Sequence, residues 1–216
     1  MLGVCGWQRK RDPLLVRCAA RPQAVKVLRI RASNVHWAAP GGPGRERLLA
    51  PPPAIPRAAA HNVSLHTAAE DEQYMREALR LAGAAGANCE VPVGAVVVAG
   101  GQIVGRGANA TISQNDPTAH AEMLALREAA RNSGNYRLPD STMYVTMEPC
   151  AMCAGALVAA RVSRLVFGTR DLRFGAVRSK FRIADSDLLN HRVEIVEGVL
   201  AAECLQRLQR FFEQRR

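Results

Sequence analysis

The sequence predicts an α/β domain: three layers, α/β/α, around a central mixed five-stranded sheet. Three observations carry that expectation. From about residue 67, helical and extended periodicities follow in the order α-β-β-α-β-α-β-β-α. A Gly100-Gly101 pair joins two apolar runs as a hairpin. A short, almost wholly apolar helical stretch, CAMCAGALVAARV, separates two extended segments by the length of a crossover. Those strands, at 141–147 and 163–168, should therefore run parallel.

The elements follow in order. Thr67 and Glu70 in TAAE match a capping box. The helix they open places Met75, Ala78, Leu79 and Ala82 on one face, and Gly83 and Gly86 are expected to end or fray it. Val93 to Ala99 reads as a buried strand and Gln102 to Arg106 as its return. The polar loop ANATISQNDP leads into the helix PTAHAEMLALREAA, and GNYRLP breaks the chain. STMYVTM (Ser141 to Met147) alternates as a strand does, and CAMCAGALVAARV should be a buried helix. SRLVFG is the next strand, followed by a basic loop from Thr169 to about Ala184. RVEIVEG is the last strand, and an amphipathic helix closes the chain.

The 216 residues carry a formal charge of +10, very unevenly. Residues 1–66 hold 11 Lys/Arg against 2 Asp/Glu, and eight of the twelve prolines, whereas residues 67–216 hold 18 against 17. The division expected is a disordered basic Pro/Ala/Arg-rich extension over 1–66 and a folded domain over 67–216. The extension reads as dispensable, as a transit peptide short of serine, or as a basic RNA-binding arm. After Met1 the next methionine is Met75, so a native start near Val63 or Leu65 through a non-AUG codon is expected. No segment reaches the ~20 apolar residues of a membrane span. The Asn62 sequon lacks a secretory signal. Six unevenly spaced cysteines suit a reducing, cytoplasmic compartment and metal-binding thiols. Cys89 and Cys204 read as small buried apolar residues.

His120, Cys150 and Cys153 are the candidate zinc ligands. Two cysteines and one histidine make the three-ligand count of a catalytic zinc with one open position. Cys-x-x-Cys at a helix start puts both sulfurs on one side, where the helix N-terminus favours thiolates. Taken alone the pair also fits a redox dithiol. His120 and Glu122 pose a geometric problem, because residues two apart on a helix point about 200° away from each other. Asp116-Pro117 resolves it as an N-cap followed by a first-turn proline. That places His120 and Glu122 at the helix tip, with Glu122 off the metal and within reach of its water. H-x-E followed by P-C-x-x-C is the signature of zinc nucleobase deaminases.

With EVPVGAV, NDPTAHAE, YVTMEPCAMCAGAL, RLVFGTRD and NHRVEI, the chain from about Glu70 onward resembles the bacterial tRNA adenosine deaminases, of the cytidine deaminase-like fold. The resemblance implies hydrolytic deamination of adenosine to inosine at the wobble position (34) of a tRNA anticodon, that of tRNA-Arg(ACG), with one Zn2+ per subunit and a homodimer. Glu122 would be the catalytic proton shuttle. Asn109, the Ala121 amide and Asp171 would meet the substrate, and Glu148 reads as positioning. Arg170, Arg173, Arg178 and Lys180, in a cluster with Arg161, Arg164 and Arg182, would bind RNA, interleaved with Phe174 and Phe181. After TRD the loop departs from the family pattern. Alternatives are a deaminase of free bases or nucleosides, a zinc-stabilised RNA-binding subunit without chemistry, and a thiol redox protein.

Overall fold

A computed structural model describes residues 67–215, so the extension and the start expected near Val63 lie outside the described residues. α1 (Ala68–Ala87) opens as the capping box predicts: the Thr67 hydroxyl accepts from the Glu70 amide, and the Glu70 carboxylate accepts from the Thr67 amide at 2.8 Å. Gly83 and Gly86 do not end it. Both lie inside the helix, where Arg207 and Phe211 of α4 (Ala201–Glu213) pack close to them. Their lack of side chain serves helix packing, not termination.

β1 (Gly94–Ala99) and β2 (Gln102–Ala108) form the hairpin, with Gly100 and Gly101 in the left-handed region. β3 (Ser141–Met147), β4 (Arg164–Thr169) and β5 (Glu194–Glu197) complete one sheet of order β2-β1-β3-β4-β5. β1 pairs antiparallel with both β2 and β3, while β3–β4 and β4–β5 are parallel, so the sheet is mixed. The parallel pair is joined through α3 (Ala151–Ala159), the predicted crossover.

Period-two alternation separates two cores. Ala95, Val97, Met143, Val145, Leu165 and Phe167 pack against Ala125 of α2 (Ala121–Ser133) and Ala154 and Leu157 of α3. Val96, Val98, Tyr144 and Val166 pack against Met75 and Ala78 of α1 and Cys204 of α4. Helices therefore cover both faces.

One polar cluster interrupts the second core. Arg164 donates to both carboxylate oxygens of Asp71 at 2.8 and 2.7 Å, and the Tyr144 hydroxyl donates to Asp71 at 2.8 Å. All three side chains are buried, which ties α1 to β3 and β4. Arg164 therefore leaves the basic cluster in which the sequence reading placed it: its charge is spent inside the fold. Removing one partner of a buried pair strands the other charge. Arg164→Met should lower the unfolding free energy by about 3–5 kcal/mol, with part recovered when Asp71→Leu is added. Urea denaturation of the two variants checks this.

Candidate active site

The site lies beyond the carboxyl end of β3, where antiparallel pairing with β1 gives way to parallel pairing with β4. Open α/β sheets place ligands at such switch points. Two helices start there. α2 begins later than predicted. Asp116 is not its cap: the carboxylate accepts from the Thr118 amide and hydroxyl, both at 2.7 Å, closing a turn over Pro117. His120 is itself the N-cap residue, in extended conformation, and Glu122 sits in the first turn. Cys150 is the N-cap residue of α3, and Cys153 lies in its first turn. Gly107 sets how closely α2 begins against β2, since a Cβ there would collide with the Ala121 carbonyl.

The two helix tips bring three donors together. His120 Nδ1 lies 3.6 Å from the Sγ of Cys150 and 3.6 Å from that of Cys153. The three donor atoms all fall within 4.8 Å of one another. Tetrahedral bonds of about 2.3 Å to sulfur and 2.05 Å to nitrogen separate the donors by about 3.6 Å, so the donor set fits zinc in chemistry and in spacing. The Cys153 thiol, donating to Cys150, is the main reason the Cys150 pKa falls to about 4. The Cys153 pKa is raised by that same bond and by burial. The hydrogen bond to Cys150 raises the His120 pKa. A bound cation would hold both sulfurs as thiolates.

Glu122 is 4% exposed. Burial pushes its pKa up, only partly opposed by its own amide and by His120. Asn109 follows β2; its amide is held by the Val93 carbonyl at 3.0 Å, and its side chain has no partner among the described residues. Ala121 is the first residue of α2. Asp171 is turned into its own loop, accepting from the amides of Arg173 and Phe174 at 2.9 and 3.1 Å.

The basic loop is less cationic than its sequence. Arg170 pairs with Glu197, while Arg178 and Arg182 share Asp185. Arg161 donates to the Asn190 carbonyl at 2.7 Å. Arg173 lies over the Phe174 ring, and neither it nor Lys180 has an ion pair among the described residues.

Sequence reasoning missed Glu90, which is 1% exposed and accepts from Thr111 Oγ1 and the amides of Ile112 and Ser113. It anchors the loop that leads from Asn109 to His120. The signal was there: a lone acid directly before an apolar run, NCEVPVGAVVV.

A catalytic-type metal donor set at two helix tips, with a buried carboxylate beside it, fits a zinc-dependent hydrolytic enzyme. Residues 68–169 match the family model of the cytidine and deoxycytidylate deaminase zinc-binding region. The tRNA-specific adenosine deaminase of Haemophilus influenzae is 54% identical over 147 residues, covering 68% of this chain and 85% of that protein. That of Bacillus subtilis is 43% identical over 147 residues, covering 68% and 91%. A structure solved in a study of A-to-I editing by tRNA:A34 deaminases superposes with a TM-score of 0.61 at 40% identity, covering 63% of this chain and 99% of that one. A guanine deaminase from Nitrosomonas europaea, 24% identical with a TM-score of 0.58, covers 65% and 83% and shares the fold. The chain belongs to the family of tRNA-specific adenosine deaminases.

Glu90 supplies a pH prediction. Burial alone would raise its pKa, but the Ser113 and Ile112 donors and the Thr111 hydroxyl outweigh it and hold the pKa below the usual value. A depressed folded pKa contributes stability above the unfolded value, lost as pH falls through the folded one. The 111–113 loop should therefore stay docked above about pH 4.3 and loosen below it, earlier than it does in Glu90→Gln relative to that variant's own neutral state. Amide exchange at Ile112 and Ser113 across a pH series reads this.

Proposed function

We propose that the protein hydrolyses the 6-amino group of adenosine to give inosine at the wobble position of a tRNA anticodon loop, that of tRNA-Arg(ACG). One Zn2+ per subunit is held by His120, Cys150 and Cys153, in a cytoplasmic homodimer. The observation that carries this reading is the buried Glu122 beside three converging donors, in a chain whose relatives are tRNA-specific adenosine deaminases.

Bound zinc supplies Lewis acidity that brings the pKa of a water towards neutrality. The remaining steps belong to the chain. Glu122 takes the proton from the attacking water and delivers it to N1 of the adenine as C6 is attacked. It then takes the proton of the new C6 hydroxyl and passes it to the departing amine, so that ammonia leaves as the C6 carbonyl of inosine forms. Burial suits it to this work, because it raises the proton affinity of a carboxylate that must both accept and give. Asn109 holds the base with a side-chain amide that the fold leaves uncommitted.

RNA capture falls to the loop after β4. Arg173 and Lys180 are its uncommitted cations, with Arg170, Arg178 and Asp171 contributing where the RNA competes with their internal partners. Leu172, Phe174 and Phe181 are 72, 63 and 59% exposed. Such side chains suit stacking on unpaired bases and contact with a second subunit. Among the described residues no helix is long and apolar enough to cross a membrane.

Sequencing tRNA before and after treatment, for A-to-G reads at the wobble position, tests the proposal; deamination of free bases but not of tRNA would overturn it. Glu122→Gln should keep its zinc and lose about 100- to 10,000-fold in turnover, seen by elemental analysis beside single-turnover kinetics. Arg173→Glu with Lys180→Glu should weaken RNA binding and flatten its dependence on salt by about two counterions' worth, with zinc retained.

A further inference from the structure

Glu148 stands at the junction of β3 and the Pro149-Cys150 turn, 3% exposed. No cation pairs with it among the described residues. Its charge is met by five donors from a segment more than twenty residues away. Oε1 accepts from the amides of Val177, Arg178 and Ser179 at 3.1, 2.6 and 2.8 Å. Oε2 accepts from the Asp171 amide at 3.0 Å and from the Ser179 hydroxyl. The loop 171–179 is therefore wrapped around one carboxylate. Two backbone contacts reinforce the same seat: a bridge between Cys150 and Gly175, and the Ala176 amide donating to the Pro149 carbonyl at 2.8 Å. Gly175 is needed there, since a Cβ would collide with the Glu148 carboxylate.

We propose that Glu148 is a positioning residue that seats the RNA-capturing loop against the turn carrying Cys150, and so sets the register between bound RNA and the reacting centre. The proposal rests on the reading of this site as one for a tRNA loop. Its logic is that of an anion nest. A buried carboxylate without a cation persists only when amides saturate it, and here those amides belong to Asp171, Arg178 and Ser179, inside the loop that carries Arg173 and Lys180. No neutral side chain substitutes. Glutamine offers one acceptor oxygen, and in either orientation its NH2 faces at least two donors.

The test uses the full, zinc-loaded chain and an anticodon stem-loop transcript with adenosine at the wobble position. In Glu148→Gln, amide exchange over 171–179 should quicken and the RNA concentration for half-maximal rate should rise about tenfold or more. kcat should change less than that, with one zinc per chain retained. The salt dependence of RNA binding should flatten as the loop's cations lose their place. Gly175→Ala, which expels the carboxylate without altering it, should reproduce this behaviour, and the double variant should be no worse than the worse single one. Ser179→Ala, losing one neutral donor, should fall between. If Glu148→Gln does not fold, Gly175→Ala and Ser179→Ala decide: unchanged half-saturation and exchange in both overturn the proposal. So does wild-type half-saturation in Glu148→Gln, or a loss confined to kcat and zinc. If the wild-type enzyme leaves the stem-loop adenosine intact, the functional reading fails, and the exchange measurement alone still judges whether Glu148 seats the loop.

Discussion

The structure depends on two helices beginning at one point. Three donors from distant parts of the chain must come within 4.8 Å of one another, and no single helix or strand carries all three. Parallel pairing of β3 with β4 sends α3 back across one face of the sheet, and β2 delivers α2 to the same face. Both helices then present their first turns beyond the end of β3. That arrangement has an electrostatic benefit: the N-terminal ends of both helices favour negative charge on the sulfurs gathered there. It also explains the two-residue spacing of His120 and Glu122. His120 is outside the helix as its cap and Glu122 is inside it, so helical rotation does not relate them.

Four buried carboxylates sort themselves by surroundings, and the sorting separates structure from chemistry. Asp71 meets a guanidinium and a phenol. Glu90 and Glu148 meet backbone amides and hydroxyls, enough to overcome burial and keep both below the usual carboxylate range. Glu122 lacks such compensation, and it alone of these glutamates is shifted upward by burial. A carboxylate kept anionic by five donors cannot take a proton at neutral pH without releasing its loop. One left poorly solvated can. The same residue type thus serves as a fixed anchor on two sides of the site and, on the proposed function, as the proton carrier in the middle.

Much of this was legible in the sequence, and the limits have physical causes. Element order, the hairpin, the capping box at Thr67 and the parallel pair followed from periodicity and from local rules that act over a few residues. The donor trio was legible because metal chemistry restricts residue type and number. The start of α2 was misplaced because Asp-Pro fits both an N-cap and an Asx turn, and tertiary contact with β2 decides between them. Gly83 and Gly86 looked like helix ends because only α4, more than a hundred residues on, shows why a side chain is unwelcome there. Long-range anchors were the hardest to see. Asp71 with Arg164 spans 93 residues and Glu148 with Ser179 spans 31, and no local rule links such positions.

The charge of the loop after β4 gives the clearest instance. Counted along the chain it is a basic patch, the usual footprint of phosphate binding. Counted in space, Arg170 is met by Glu197, and Arg178 and Arg182 by Asp185. Between Thr169 and Ala184, Arg173 and Lys180 remain without an ion pair among the described residues, beside the exposed Leu172, Phe174 and Phe181. A surface of that kind gains little from the uniform backbone charge of a duplex. It gains more from a short unpaired segment whose bases can turn out and stack, where each aromatic contact is worth roughly 1–3 kcal/mol. The internal ion pairs therefore lower the loop's attraction for polyanions at large. On the proposed function, they leave RNA capture to Arg173, Lys180 and the exposed rings.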